Sequence, residues 1–303
     1  MENLSTSIVI LNYNGGKDVI ECLESVRNID YPSYEIIVVD NASTDNSVES
    51  IRKKFPEVKI IRNESNLGFA EGNNVGIREA NSHYVMLLND DAVVGKNILK
   101  DLTASIEERK NIGMAGPMIL YYNDPDRIWS AGGRLSLFGF ASHWGKGLGR
   151  RSCNSPCLVD YISGCAILIK KEVIDKIGLL DSTYFLYFED SDFCFRARAA
   201  GYECLYVPSP TVWHKATPSW ITNPVQAYYY MRNAIIFGKK NLTGGRKFVF
   251  ILSQFFVLFP YYCFKFARRD ARMVKYLLKG LKDGMAYYFF NKLNSVECEA
   301  MKQ

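Results

Sequence analysis

The stretch Tyr84-Val85-Met86-Leu87-Leu88-Asn89-Asp90-Asp91 decides how the rest of the sequence is interpreted. Its first five residues are apolar or aromatic and carry no charge, which predicts a strand buried on both faces. Two adjacent carboxylates follow. At the carboxyl edge of an open α/β sheet such groups are suited to holding a divalent cation. The alternative is a solvated acidic turn that leads to the N-cap of a helix from about residue 96.

Strands and helices alternate around this stretch. Strands are predicted over residues 7–13, 35–39, 58–61, 83–88 and 112–118, with helices between them. In one of these helices Asn46 and Glu49 have the spacing of a capping box. The alternation predicts an α/β fold with a mostly parallel central sheet and flanking helices. Asp40 and Asp91 each follow a strand, so both are expected at the same carboxyl edge.

The pattern loosens beyond residue 119. Residues 121–156 are rich in Gly, Ser, Arg and aromatic residues without clear periodicity, which predicts a long functional loop region. Regular structure is expected again as a strand over 159–170, a helix to residue 177 and a strand over 204–207. Between the last two, the apolar run 184–188 leads directly into Glu189-Asp190-Ser191-Asp192. It is the second apolar run that ends in carboxylates, although Glu189 and Asp190 could also simply cap the helix that follows.

Composition bounds the class of protein. At 303 residues the chain can bury one large core, or one domain with an appendage, and 48% hydrophobic and 23% charged residues are globular values. Eight cysteines are present, several inside apolar patterns, which favours reduced thiols and a cytosolic location. Cys153 and Cys157 lack a second pair, so a zinc site is not expected. The short acidic N-terminus does not resemble a signal peptide.

The positive charge is concentrated near the C-terminus. The net charge is +5, but residues 239–292 alone contain twelve Lys or Arg against two Asp. This asymmetry favours a membrane surface or a polyanion as the partner of the tail, and it argues against nucleic acid as a partner of the whole chain. The sequence therefore predicts two parts, a catalytic or binding domain over 1–238 and a basic, aromatic-rich helical tail over 239–303 that associates with a membrane.

Within the tail, residues 248–264 carry no charge and are flanked by basic residues on both sides. The stretch is barely long enough to span a bilayer, and it contains Gln254 and Pro260. These features favour an interfacial or re-entrant helix on an anionic cytoplasmic leaflet. Two alternatives stay open, a true membrane span and a helix packed on the core or on a homodimer partner. A second aromatic group over 287–290 repeats the pattern.

Six short segments occur in a fixed order within residues 7–238: Ile10-Leu11-Asn12-Tyr13-Asn14-Gly15, Val38-Val39-Asp40-Asn41-Ala42-Ser43-Thr44-Asp45, Asn66-Leu67-Gly68-Phe69-Ala70, Leu87-Leu88-Asn89-Asp90-Asp91, Ser163-Gly164-Cys165-Ala166 and Phe185-Leu186-Tyr187-Phe188-Glu189-Asp190-Ser191-Asp192. Together they resemble the inverting glycosyltransferases of family 2, which have the GT-A fold, and in particular the rhamnosyltransferase-like branch. The resemblance implies transfer of a sugar from a nucleotide-sugar, with dTDP-rhamnose favoured over a UDP-sugar, to a hydroxyl of a glycan or lipid-linked acceptor. The product would be a surface polysaccharide or glycolipid, made at the cytoplasmic face of the cell membrane.

The resemblance also implies individual roles. Asp190 would be the general base, because a carboxylate beside Glu189 can have a raised pKa. Asp91 corresponds to the ligand residue of the family's Asp-x-Asp element, which is degenerate here because its first position is Asn89. A His after the last strand can complete the metal site, which nominates His214 together with Mg²⁺ or Mn²⁺. The alternative for His214 is a structural role beside Trp213.

The remaining implied contacts divide between two halves of the domain, about 1–118 for the nucleotide and 119–238 for the acceptor. The nucleotide-binding candidates are Asn12, Asn14, Asp40, Gly68, Asn89 and Asp90. The sugar and acceptor candidates are Trp129, Gly132, Gly133, Glu189 and Arg232. Arg232 could approach the diphosphate, or serve as a helix cap or salt-bridge partner. Two rival functions are a sugar nucleotidyltransferase, which would need a glycine-rich basic loop that residues 12–16 do not provide, and a non-catalytic, membrane-docked sugar-nucleotide binder.

Overall fold

The computed structural model describes residues 4–136, 141–216, 221–268 and 270–292. Within these ranges the strands are β1 Thr6–Asn12, β2 Tyr34–Asp40, β3 Lys59–Arg62, β4 Tyr84–Asn89, β5 Ala92–Val94, β6 Ile112–Tyr121, β7 Asp124–Ser130, β8 Gly133–Leu135, β9 Ala141–His143, β10 Cys157–Val159, β11 Ala166–Lys170 and β12 Glu203–His214. The helices are α1 Gly16–Arg27, α2 Ser47–Lys54, α3 Gly68–Glu79, α4 Ile98–Glu107, α5 Lys171–Ile177, α6 Glu189–Ala199, α7 Pro224–Asn241, α8 Gly244–Ser253, α9 Phe259–Ala267 and α10 Ala271–Phe290.

One large sheet organises the molecule, in the order β10-β12-β6-β11-β4-β1-β2-β3. Strands β1 to β4 are mutually parallel, whereas β11 runs antiparallel to both of its neighbours, β4 and β6. The predicted α/β fold with a mostly parallel sheet is therefore confirmed. Asn12 pairs in register with Asp40, and Leu11 with Asn89. The ends of β1, β2 and β4 thus lie side by side, which confirms the expected common edge for Asp40 and Asp91.

The sheet is covered on both faces. Alternate residues of β1 belong to different hydrophobic clusters, since Ile8 and Ile10 pack with α1, α2 and α4 while Val9 packs with α3, α5 and α6. This is the period of two that a strand buried on both sides requires. The apolar middle of β1, β2 and β4 follows from it, and the polar and charged residues of these strands lie at their ends.

The structure corrects four local predictions. The region 121–156 contains β7 and the hairpin β8–β9 rather than irregular loop alone, and residues 137–140 of it lie outside the described ranges. The strand predicted over 159–170 is broken between β10 and β11. The strand predicted over 204–207 continues to His214 through a register shift where Pro208 and Pro210 cannot donate ladder hydrogen bonds. The Asn46 side chain makes no cap hydrogen bond, whereas Asp45 Oδ1 accepts from the Ser47 amide at 3.1 Å.

The C-terminal helices form a third hydrophobic cluster with α7, which crosses the predicted boundary at residue 238. Helix α10 packs directly on α7. A Cβ added at Gly280 would overlap the Tyr228 carbonyl oxygen, and one added at Gly284 would lie 3.0 Å from the Arg232 carbonyl oxygen. The Tyr228 hydroxyl donates to buried Asp283 at 2.9 Å. The described part of the tail is therefore seated on the core; residues 269 and 293–303 lie outside the described ranges.

Helices α8 and α9 are joined by a π-helical segment, Gln254–Leu258, into one helix over Gly244–Ala267. By length and composition alone this helix could cross a membrane. Its inner face is buried against α7 and α10, and its opposite face exposes Phe248, Phe256 and Phe264, each more than 60% accessible. The helix thus packs one face on the core, and its opposite apolar face is not covered by any of the residues that the structure describes.

Candidate active site

Two adjoining cavities lie at the carboxyl edge of the sheet. The β4–α6 cavity, of about 710 Å³, is lined by Asp91, His214 and Asp190 among others. The β1–α10 cavity, of about 770 Å³, is lined by the ends of β1, β2 and β4 and by residues of α10. Both cavities share four lining residues, Phe69, Asn89, Leu186 and Gln226. This sharing makes them two compartments of one site.

Asp91 and His214 form a pair at the floor of the β4–α6 cavity. Antiparallel pairing of β5 with β12 sets His214 opposite Ala92, so the His214 Nε2 lies 3.2 Å from Asp91 Oδ1. Burial alone would raise the pKa of Asp91, but hydrogen bonds from His214 and Asn89 hold it below its ordinary value. Burial lowers the pKa of His214, but the Cys165 thiol and the Asp91 carboxylate beside it outweigh this and raise it to about 10.

The chemistry of this pair fits a divalent cation. A carboxylate is an ordinary ligand for Mn²⁺ and Mg²⁺, and an imidazole that has lost its proton can join it on a transition metal such as Mn²⁺. A cation here would displace the proton that His214 otherwise keeps through its raised pKa. Buried His214 Nδ1 has no hydrogen-bond partner among the described residues. The described ranges contain no group of three or more His, Cys, Asp or Glu side chains that could hold a metal alone. A cation held here would take its other ligands from solvent and from substrate oxygens, as substrate-bridging metals do.

Asp90 faces the other compartment. Its Oδ2 accepts from the Tyr13 amide at 3.4 Å, and it lines the β1–α10 cavity. Burial, followed by the charge of Asp91, raises the pKa of Asp90 to about 7. A Cβ at Gly15 would lie 2.8 Å from Asp90 Oδ2, so only glycine fits there without a shift. The two carboxylates lie in a turn, but they are half-buried rather than fully solvated, and their pKa values are shifted in opposite directions.

Asp190 lies in the first turn of α6 and lines the β4–α6 cavity with Asp91. Its Oδ2 accepts from the Gly164 amide at 3.0 Å and its Oδ1 from the Ser191 amide at 2.6 Å. Burial raises the pKa of Asp190 despite these hydrogen bonds. The neighbouring Glu189 is buried, its Oε2 has no partner among the described residues, and burial raises its pKa well above the ordinary value. Glu189 is therefore the neutral member of the two.

The chain that delivers these carboxylates is strained. Residues 184–188 are not a strand, since Phe185, Tyr187 and Phe188 have φ values of 61°, 69° and 74°. Left-handed backbone at bulky residues costs on the order of 1–3 kcal/mol each and persists only where neighbouring structure imposes it. The last of the three immediately precedes Glu189. The strain thus fixes the direction in which α6 begins.

Two side chains of α7 impose this conformation. The Asn233 amide donates to the carbonyls of Tyr184 and Leu186, both at 2.7 Å. The Arg232 guanidinium donates to the carbonyls of Thr183 and Tyr184 at 2.7 and 3.0 Å. Arg232 is buried and lines neither cavity. The structure places it behind residues 184–188, here called the carboxylate loop because they lead into Glu189 and Asp190, rather than beside a diphosphate.

Three predicted nucleotide contacts also line neither cavity: two are buried behind the wall, and Asn14 is exposed and bonds to Thr44. Asn12 and Asp40 are fully buried, and the Asn12 amide donates to Asp40 Oδ1 at 2.9 Å. Asn14 uses its Oδ1 to accept from the Thr44 amide. None of the three lines either cavity, whereas Gly68, Asn89 and Asp90 do. Gly68 has a φ of +79°, and a Cβ there would lie 2.5 Å from the Phe185 ring. Glycine is therefore required at this position by the close approach of Phe185.

The predicted acceptor residues likewise divide into those that line a cavity and those that do not. Trp129 lines the β4–α6 cavity. Its ring lies 4.3 Å from the His143 ring, at an interplanar angle of 36°, and meets the His214 ring edge-on at 4.6 Å between centroids. Gly132 and Gly133 do not line it. A Cβ at Gly133 would overlap the ring of Tyr161, which does line the cavity, and a Cβ at Gly132 would lie 2.7 Å from the Val159 side chain.

Sequence reasoning missed several wall residues. Tyr13, Asn41 and Asn66 line the β1–α10 cavity. They lie inside the motifs quoted for the resemblance, so those motifs indicated the right segments even though other residues in them were nominated. Arg272 and Tyr276 come from the tail, where no motif pointed to the site.

The fold and the site together define a glycosyltransferase of the GT-A type. The crystal structure of GalNAc-T7 with UDP, GalNAc and Mn²⁺ superposes with a TM-score of 0.63 at 19% identity, covering 89% of this chain and 57% of that one. The chain belongs to glycosyl transferase family 2, whose model matches residues 7–178.

Two curated relatives show the range of the family around this chain. The low-salt glycan biosynthesis hexosyltransferase Agl10 of Haloferax volcanii is 28% identical over 198 residues, which are 63% of this chain and 61% of the relative. The chain thus matches less than two thirds of that protein. The N-acetylglucosaminyl-diphospho-decaprenol L-rhamnosyltransferase of Mycobacterium tuberculosis is 24% identical over 242 residues, 72% of this chain and 78% of the relative.

Proposed function

We propose that this enzyme transfers a sugar, with inversion, from a nucleotide-sugar to a hydroxyl of a glycan or lipid-linked acceptor, with Mg²⁺ or Mn²⁺ as cofactor. One observation carries the proposal: Asp190, with its raised pKa, lines the same cavity as the Asp91–His214 pair. A base and a cation-binding pair in one compartment are what direct displacement of a nucleoside diphosphate requires. The neutral Glu189 beside Asp190 belongs to the sugar and acceptor contacts.

In this mechanism Asp190 accepts the proton of the acceptor hydroxyl as its oxygen attacks the sugar C1. The hydrogen bonds from Gly164 and Ser191 orient the carboxylate, and its raised pKa matches it to a proton transfer near neutral pH. A single displacement inverts the anomeric centre, so no covalent nucleophile is needed. Asp91 and His214 would hold the cation, which supplies charge neutralisation to the leaving diphosphate.

We assign the nucleotide to the β1–α10 cavity, which takes half of its lining residues from the part of the domain up to about residue 118 and the rest from residues 185–186, α7 and α10. Asn66 and Tyr13 bring an amide and a phenol to its wall, while Asn12, Asp40 and buried Asn41 support the wall from behind. The favoured sugar is rhamnose from dTDP-rhamnose. The mycobacterial relative, named as a rhamnosyltransferase, supports this, and so does Trp129, whose aromatic face suits the apolar side of a deoxysugar.

We assign the acceptor to the β4–α6 cavity. The cavity extends from the carboxylates to Tyr261, Tyr262 and Lys265 of α9, next to the exposed apolar face of that helix. An acceptor on a lipid carrier could therefore reach Asp190 while its carrier stays in the membrane. The name of the mycobacterial relative specifies such an acceptor. The proposed location is the cytoplasmic face of the cell membrane, with the tail of residues 239–303 as the associating part.

Calorimetric titration of dTDP, UDP, GDP and CDP, each with Mn²⁺ and again with chelator, tests the donor site. One nucleotide is expected to bind in a metal-dependent manner, and Asp91→Ala should lose the metal dependence. Asp190→Asn should bind the same nucleotide normally but not turn over. If it turns over at the wild-type rate, the proposed base is wrong; if no nucleotide binds under any condition, the donor assignment fails.

A further inference from the structure

Helix α10 forms part of the wall of the β1–α10 cavity. Arg272 and Tyr276 both line it. They are four residues apart and so project from the same face of the helix, whereas Met273 and Leu277 are buried in the third hydrophobic cluster. The helix therefore turns its apolar side to α7 and presents one cation and one phenol to the cavity.

This position is fixed by the packing of α10 on α7. The close approach at Gly280 and Gly284 and the buried Tyr228–Asp283 hydrogen bond lie on the turns that follow Tyr276. Farther along, Lys239 donates to the Tyr287 carbonyl at 2.9 Å. The buried carboxylate and the small-residue contact allow little sliding between the helices. Arg272 and Tyr276 are thus held at the cavity by a rigid element.

Arg272 is the only cation among the described residues that line this cavity, and Asp90 is the only acid among them. The Arg272 guanidinium pairs with Asp270, the N-cap residue of the same helix, at 2.9 Å, and its side chain is 80% exposed. Within the described ranges Asp270 is its one ion-pair partner, and a guanidinium tethered to a neighbour on its own helix can exchange that partner for a ligand. Its planar fork of donors matches phosphate oxygens better than an ammonium does.

We propose that Arg272 binds the diphosphate of the donor, exchanging the Asp270 carboxylate for phosphate oxygens, with Tyr276 contacting the nucleotide beside it. The tail helix then belongs to the donor site as well as to the proposed membrane-associating part. Arg272 takes the role for which the sequence nominated Arg232, whose donors are used by the carboxylate loop. It has this role only if the donor is a nucleotide-sugar, as proposed for this chain.

The test compares Arg272→Met with Lys275→Met, which removes an exposed cation of the same helix that does not line the cavity. Affinities for dTDP and UDP with Mn²⁺, and for thymidine and uridine, are measured by calorimetry. Loss of one charge-assisted contact should weaken diphosphate binding on the order of tenfold in Arg272→Met. Nucleoside binding should not change, and Lys275→Met should bind every ligand as the wild type does.

A second variant, Asp270→Asn, keeps a good N-cap residue but removes the competing carboxylate. It should bind the diphosphate several-fold more tightly, because Arg272 no longer has to leave an ion pair. Wild-type affinity in Arg272→Met would overturn the inference, as would an equal loss of nucleoside and diphosphate binding, which would indicate a structural defect. Failure of the wild-type enzyme to bind any diphosphate would instead contradict the proposed function itself.

Discussion

At the scale of single residues, adjacent carboxylates take different protonation states. Asp190 receives three hydrogen bonds from Gly164 and Ser191 that favour its ionised form, whereas Glu189 Oε2 receives none from the described residues. We predict that Asp190→Asn lowers kcat by about a thousandfold, the usual range for loss of a general base, while nucleotide affinity is unchanged. Steady-state kinetics and calorimetry on the same preparation measure both quantities.

Glu189→Gln is the matched control for this variant. Because burial keeps Glu189 protonated, glutamine replaces it with a neutral group of nearly the same shape. Because Glu189 belongs to the proposed sugar and acceptor contacts, some loss is expected, but kcat should fall far less than in Asp190→Asn. A large loss of kcat in Glu189→Gln together with a small one in Asp190→Asn would reverse the assignment of the two carboxylates.

The pH dependence should report Asp190. The base must be ionised, and burial raises its pKa, so kcat/KM should fall as the pH drops through a value above the ordinary ~3.9 of aspartate. Ser191 Oγ donates to Asp190 Oδ1 at 3.1 Å and thereby favours the ionised form. Ser191→Ala should move the acidic limb of the profile to higher pH. An unmoved limb would mean that another group controls it.

The sequence predicted which chemical groups lie at the site better than it predicted how their side chains are oriented. Asp91, His214, Asp190 and Glu189 were all nominated, and all four line one cavity. Asp40 was also expected at the correct edge, but its side chain turns back to Asn12 and is fully buried. A motif identifies residue types at the end of a strand, whereas the side to which each points depends on packing that a single sequence does not contain.

At the scale of elements, α7 supports the active-site loop through Arg232 and Asn233. We predict that Arg232→Ala lowers the free energy of unfolding by about 2–3 kcal/mol, because buried carbonyls of the strained loop lose a charged donor. It should also lower kcat, since the loop positions Asp190. Arg246→Ala, at an exposed site on α8, is the control and should change stability by less than about 0.5 kcal/mol. Chemical denaturation measures both variants.

Long buried elements were predictable, and short or antiparallel ones were not. Strands β1, β2 and β4 have continuous apolar runs that end in polar residues, a pattern with few other solutions. In contrast, β8 and β9 are three residues long and are stabilised by their partners rather than by their own pattern. The left-handed backbone at Phe185 and Tyr187 had no sequence signal, because nothing local favours it.

At the scale of the whole molecule, the exposed apolar face of Gly244–Ala267 should bind membranes. We predict that Phe256→Ser combined with Phe264→Ser weakens binding to anionic phospholipid vesicles at least about tenfold, since each phenylalanine contributes roughly 1.5–3 kcal/mol on burial. Vesicle sedimentation measures the change. Activity on a water-soluble acceptor should be retained, because neither residue lines a cavity.

Leu158→Ser serves as the control for the membrane experiment. Leu158 is an exposed leucine on β10, at the far edge of the sheet in the strand order, and its removal should leave vesicle binding unchanged. Equal vesicle binding by the wild type and the double phenylalanine variant would contradict the prediction and indicate that this apolar face contacts a partner other than the membrane.

Charge and hydropathy along the tail predicted its helices, but they could not show where those helices pack. Arg272 lines the same cavity as Tyr13 and Asn41, which lie more than 200 positions earlier in the chain. Such long-range contacts depend on the relative placement of whole helices. For this reason the tail could be recognised as basic and apolar without being recognised as part of the donor cavity.

The close seating of α10 on α7 also has a practical consequence for producing the enzyme. Removing an apolar tail is a common way to obtain soluble protein, yet ending this chain at residue 238 would cut α7 before its last turn and uncover Ile235 and Tyr228. It would also remove Arg272 and Tyr276 and so open one wall of the β1–α10 cavity. Soluble, active preparations are better sought by substituting Phe248, Phe256 and Phe264, which leaves every helix in place.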